Sequence, residues 1–152
     1  MKPSANAGPH REPLALPCAC ANLRRAARIV TQLYDEALRP ARMRATQFTL
    51  LQALVLAKGI SQGKLADLLG MDSTTLTRTL SLLRRKGWIQ STRGADRRQI
   101  RLTLTADGAR QYRAARPYWL TVQRHLRKGL GHSDWKRLIT TAIRTAGLAR
   151  KC

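Results

Sequence analysis

Three groups of side chains in this chain have types and spacings that could do chemistry. In the first, Ser73, Thr74, Thr77, Arg78 and Ser81 fall between Leu76, Leu80 and Leu83, whose spacings of four and three mark the inward stripe of a helix. Short hydroxyls with one guanidinium suit a helix lying deep in the major groove of a duplex, where they bond phosphates and base edges without clash. Glu and Lys there would have indicated ordinary solvated surface; the bland alternative is a polar face in any small helical domain. In the second, Arg93, Arg97 and Arg98 surround Gly94 and the lone acid Asp96 in STRGADRRQ, residues 91 to 99. This reads as an arginine tip on a hairpin, fit to reach a phosphate backbone or a narrow minor groove. The third is Cys18-x-Cys20, with Cys152 at the far end. An extended C-x-C puts both sulfurs on one side, whereas in a helix they diverge, so the pair can chelate or cross-link only if the helix starts after Cys20. Two readings stay open: small apolar residues in packing, or a thiol site for a soft metal, a metalloid or an oxidant, with Arg24 and Arg25 lowering the thiol pKa.

The first group needs two helices and a strand to hold it. Ser61 caps a short helix with Leu65, Leu68 and Leu69 inward; Gly70 ends it in the left-handed region, and Asp72 or Ser73 caps the next. A turn that short holds two helices at a steep angle. Gly87 closes the second helix, and Trp88 and Ile89, then Ile100, Leu102 and Leu104, read as two alternating strands.

Around this unit lie further helices. Residues 1 to 17 hold four prolines and no periodicity and read as a flexible leader. Residues 19 to 38 give a helix with the seam Leu23, Ala27, Val30, Tyr34 and Ala37, ended by Pro40. Thr46 caps a helix with Phe48, Leu51, Leu54 and Val55 inward, closed by Gly59. Thr105 caps a long helix to about Lys128 through Tyr112, Trp119, Val122, Leu126 and Leu130, kinked at Pro117. Ser133 caps a last one with Trp135, Leu138, Ile139, Ala142, Ile143 and Ala146. The first, the kinked and the last helix all carry apolar seams that one short chain struggles to cover, so a twofold partner is expected.

Charge narrows the partners. The 152 residues, enough for one core, carry 29 Lys and Arg against 8 Asp and Glu, a formal +21. Self-repulsion of that size implies a polyanion. Eight of the bases lie between Arg78 and Arg101, on the reading helix and hairpin rather than in a tail. A membrane surface is the weaker rival, because no helix pairs a wide bulky apolar face with a basic one. Arginine abundance alone could equally reflect a GC-rich coding genome. No segment approaches the length of a membrane span or a secretory signal, so a cytoplasmic location with reduced thiols is expected. An enzyme is disfavoured: there is no carboxylate pair at workable spacing, no glycine-rich phosphate loop and no metal motif among His10, His125 and His132.

The runs ATQFTLL, LADLLGMDSTTLTRTLSLLRRKGWI and DRRQIRLTLTADG resemble the MarR family of winged helix-turn-helix transcription regulators, from about Cys20 to the end. The most specific part is Asp96-x-Arg98 followed by Leu104, Thr105 and Gly108. The resemblance implies a mainly α fold with a small β-hairpin wing: a winged helix-turn-helix over 46–104, with dimerisation helices at 18–40 and 106–152. The expectation is a homodimeric, sequence-specific regulator, a ligand- or thiol-responsive repressor without a required cofactor, on double-stranded DNA with pseudo-palindromic half-sites about 10 bp or a multiple apart. Ser73, Thr74, Thr77 and Arg78 would meet the groove, Thr75 a phosphate, and Arg93, Arg97 and Arg98 the wing contact, with Asp96 fixing the wing through Arg78. Family members commonly release DNA when a small aromatic or amphipathic effector enters a cleft, for which Arg28, Tyr34, Arg116 and Trp119 are the expected lining. Cys152 could meet Cys18 and Cys20 across such a dimer. The competing reading is an architectural or nonspecific nucleic-acid binder, which uses the same charge without an ordered reading face.

Overall fold

A computed structural model describes residues 17–93 and 100–150. The order is α1 (Ala19–Leu38), a 3-10 turn (Arg39–Ala41), α2 (Ala45–Ala57), α3 (Gln62–Leu69), α4 (Ser73–Arg85), β1 (Ile89–Arg93), β2 (Ile100–Leu104) and α5 (Ala106–Ala149). The strands pair antiparallel with Ile89 opposite Leu104 and Arg93 opposite Ile100. Ile60 adds an isolated bridge to Leu102, exchanging both backbone bonds, so the hairpin is anchored to the segment just ahead of α3. Among the described residues no helix is long and apolar enough to cross a membrane.

The core explains which elements are fixed. Phe48, Leu50, Leu51 and Leu54 of α2 are buried together with Leu65 of α3, Leu76, Leu80 and Leu83 of α4, and Leu102 of β2. Each such side chain contributes about 1.5–3 kcal/mol relative to exposure. Phe48 stacks on Tyr112 and Trp119 of α5, with centroids 5.2 and 5.5 Å away, and so ties the helix-turn-helix to the long helix.

Several local expectations are corrected. Thr46 does not cap α2: the helix begins at Ala45, whose N–H donates to Asp35 Oδ1 at 2.7 Å, so a carboxylate from α1 does the capping. A negative group is favourable at that helix end. Lys58, left-handed at φ 47, closes α2 one residue before Gly59. Val55, Leu68 and Ile100 are exposed, because α2 and α3 bury their other faces and Ile100 sits at the outer end of the hairpin. Ser91 to Arg93 belong to β1 rather than to the hairpin tip. In α5 the dihedrals stay helical through Pro117, and the break falls at Gly131 (φ 75, ψ 169). Pro117 and Arg113, whose carbonyl loses its partner, both lie on the exposed side, where water can replace the missing bond.

Candidate nucleic-acid interface

Two side-chain caps set the reading helix at its angle. Ser61 Oγ accepts from the Lys64 N–H at 3.3 Å to start α3, and Gly70 ends it at φ 62. Asp72 then starts α4, with Oδ1 accepting from the Thr75 N–H at 2.8 Å and Oδ2 from the Thr75 hydroxyl at 2.6 Å. Those bonds, the hydroxyl's first, hold the Asp72 carboxyl below its ordinary pKa. With Leu76, Leu80 and Leu83 fully buried, the opposite side of α4 is left to solvent.

On that side Ser73, Thr74, Thr77 and Arg78 line one shallow depression of about 370 Å³. The four residues expected to meet a groove are therefore contiguous and exposed. Thr75 is exposed as well, but its hydroxyl is occupied by Asp72, so it serves the cap and only its flank is open. Thr77 is oriented from outside its own helix: Gln62 Nε2 donates to its Oγ1 at 2.8 Å, which leaves the hydroxyl with a proton of its own to donate. Sequence reasoning missed Gln62, since a residue 15 positions away reaches Thr77 only through the turn angle.

Positive charge flanks this face. Arg93 is exposed at the end of β1, while Arg97, Arg98 and Asp96 lie outside the described residues. Arg84 donates to Ser91 Oγ at 3.1 Å, linking the end of α4 to the hairpin. Lys64 and Arg101 share a second depression with Gly59, Ile60 and Ser61, next to the first turn of α3. Arg101 belongs to the basic run counted from the sequence, Lys64 had not been singled out, and both extend the cationic surface beyond α4.

The base of the hairpin is joined to α5 by close backbone approach. Thr105 Oγ1 accepts from the Gly108 N–H at 3.0 Å and donates to the Gly87 carbonyl at 2.6 Å, while the Thr105 N–H donates to the Trp88 carbonyl at 3.1 Å. A Cβ at Gly108 would stand 1.9 Å from that same Trp88 oxygen. The Thr105 and Gly108 pair thus seats the long helix directly on the end of α4.

Of the expected ligand residues, Tyr34 and Trp119 come together in a cavity of about 290 Å³ with Phe48, Ala45 and Gln123. Gln123 Nε2 donates to the Tyr34 hydroxyl at 2.7 Å, and burial raises the Tyr34 pKa. Arg28 and Arg116 are exposed and do not line this cavity, because their positions on α1 and α5 turn outward.

Cys18 and Cys20 are both exposed in the single chain. The helix starts at Ala19, with Cys18 as its extended N-cap (φ −116, ψ 117), so the requirement that it begin after Cys20 is not met. Cys152 lies outside the described residues, among which no cluster of three or more His, Cys, Asp or Glu could hold a metal ion.

Comparison with known proteins adds to this geometry. A family model described as MarR family matches residues 43–100. The M. tuberculosis transcriptional regulator MosR, solved in complex with DNA, is 38% identical with a TM-score of 0.78, covering 89% of this chain and 98% of that one. The transcriptional repressor CouR, bound to a 23-mer DNA duplex, is 25% identical with a TM-score of 0.75, over 85% of this chain and 92% of CouR. An uncharacterized HTH-type transcriptional regulator of Bacillus subtilis (strain 168), YwoH, is 27% identical over 90 residues; the match takes in 59% of this chain and 66% of YwoH.

Proposed function

Since the chain belongs to the MarR family of winged helix-turn-helix transcriptional regulators, we propose that it binds double-stranded DNA sequence-specifically as a homodimer and represses transcription until a signal releases it. The observation that carries this is the exposed Ser73, Thr74, Thr77 and Arg78 face, held by the Asp72 cap and by Gln62. MosR and CouR, both solved on DNA, support the same reading. Arg93 and, from the sequence, Arg97 and Arg98 take the backbone and minor groove, with Asp96 orienting the wing through Arg78.

The exposed apolar residues supply the dimer. Leu23 and Ile29 on α1 and Leu138, Ile139, Ile143 and Leu148 on the distal part of α5 are open to solvent in the single chain. A symmetric partner covers them and holds two reading helices for a pseudo-palindrome.

Two signals have support. The cavity between Tyr34, Phe48 and Trp119 suits a small aromatic or amphipathic effector, whose binding alters the angle between α5 and the helix-turn-helix. The exposed Cys18 and Cys20 thiols are accessible to oxidants or soft metals, but joining the two sulfurs requires the first turn of α1 to unwind.

The test is recovery of bound fragments from a fragmented genomic pool followed by footprinting. A protected inverted repeat with half-sites about 10 bp or a multiple apart is expected. Uniform protection of unrelated fragments would instead establish an architectural binder.

A further inference from the structure

A cleft of about 510 Å³ opens where the end of α1, the start of α2 and the end of α4 meet, on surfaces that neither the reading face nor the aromatic cavity uses. Its walls present Arg39, Arg42, Arg44 and Lys86 against Asp35 and Glu36. Asp35 is already engaged: Oδ2 pairs with Arg44 at 3.0 Å and Oδ1 accepts the Ala45 N–H at 2.7 Å. That leaves Glu36 facing Arg39, Arg42 and Lys86.

The cations are held in place. Arg42 sits in the left-handed region at φ 51, ψ 38, with its N–H donated to the Arg39 carbonyl at 2.9 Å. Such a conformation is uncommon for a residue with a side chain and recurs where a ligand is clamped. The Lys86 ammonium lies 4.3 Å from the centroid of the Trp88 ring, which fixes it at the C-cap of α4. Glu36 offsets only one of the three remaining cations; the surplus like charges repel one another, and an incoming anion reverses the sign of that interaction. Among the described residues Met43 is the sole apolar side chain on the wall, so the occupant is hydrophilic, unlike anything the Tyr34 and Trp119 cavity would take.

We infer that this cleft binds a small hydrophilic polyanion carrying carboxylate or phosphate groups and that occupancy is passed to α4 through Lys86. The second clause rests on the DNA-binding reading; the first does not.

The experiment is isothermal titration of the full-length protein, free of DNA, with citrate and separately with inorganic phosphate at constant ionic strength. Saturable binding of at least one of them is expected; the stronger of the two distinguishes carboxylate from phosphate recognition. Arg42→Gly, which suits the left-handed turn and so keeps the backbone, and Lys86→Gln should each weaken it about tenfold. Arg78→Ala and Arg93→Ala on the DNA face should leave it unchanged. Absence of saturable heat with both anions, or equal weakening in all four variants, overturns the site and assigns any binding to the overall charge. Fluorescence anisotropy on a recovered duplex then reads the coupling. A citrate or phosphate effect on DNA affinity that Arg42→Gly abolishes supports it, and an unchanged affinity overturns it. Failure to bind any duplex would sink the DNA reading while leaving the calorimetric result intact.

Discussion

Thr77 and Arg98 are assigned different roles on the duplex, and that difference is measurable. Thr77 Oγ1 accepts from Gln62 on the exposed side of α4, where the hydroxyl keeps its own proton to donate to a base edge. Thr77→Ala should therefore change which sequence is preferred, whereas Arg98→Ala should weaken binding to specific and random duplexes alike and flatten the salt dependence by about one counterion. Competition binding against randomised duplexes at several salt concentrations separates the two; equal effects on both kinds of DNA would refute the assignment. Asp72 allows a second test at this scale. Its folded pKa lies below its unfolded one because Thr75 donates to the ionised form. The cap's contribution is thus complete above the ordinary carboxylate pKa of about 3.9 and lost as the pH falls through the lower folded value. Asp72→Ala should lower Tm at neutral pH, and the gap to the parent protein should narrow on acidification below that range in thermal melts followed by circular dichroism. These assignments were partly legible beforehand. The outward set on α4 follows from helical spacing alone, since Leu76, Leu80 and Leu83 fix the buried side. Gln62 and the capture of the Thr75 hydroxyl do not, because they depend on the turn angle and on one rotamer.

At the scale of elements, the join between hairpin and long helix has the narrowest tolerance. Gly108 has helical dihedrals that any residue could adopt, yet a Cβ there meets the Trp88 carbonyl oxygen at 1.9 Å. Gly108→Ala should destabilise the fold by roughly 1–3 kcal/mol, since the obstacle is backbone rather than a side chain that can rotate away. Urea denaturation checks this; an unchanged midpoint would mean that α5 does not sit where described. The sequence displayed Thr105 and Gly108 at their spacing without the reason for it, because close backbone approach leaves no periodic trace. The same limit explains the caps and the break. Thr46 had the right chemistry for a helix start, but Asp35 reaches Ala45 from another helix. Proline is the stronger local breaker, but it stands on a solvated face of α5, while Gly131 takes the positive φ that turns the chain. Val55, Leu68 and Ile100 fit apolar spacing and still point to solvent, since spacing gives a stripe and only packing says where it stops.

For the whole molecule, the question is what covers the two ends. Ile143 is 68% exposed and Leu148 63%, beyond the break in α5, and Ile29 on α1 is 56% exposed. If a second copy covers them, Ile143→Asp should shift sedimentation velocity from dimer toward monomer and lower operator affinity at least tenfold, because two half-sites would no longer be bound at once. A parent protein that sediments as a monomer at high concentration would remove the premise. The sequence anticipated this surplus of apolar surface, and the exposure of Leu138, Ile139 and Ile143 in the single chain agrees with it.

The contact between Gly108 and Trp88 also determines how motion travels. The long helix rests on the Trp88 carbonyl, three residues past the end of the reading helix, with the Thr105 hydroxyl bolted to the residue before it. No compliant side chain intervenes to absorb a tilt. A few degrees of swing in one arm of the dimer would then arrive at the other end as displacement, and the separation of the two heads would follow the lever rather than the loop.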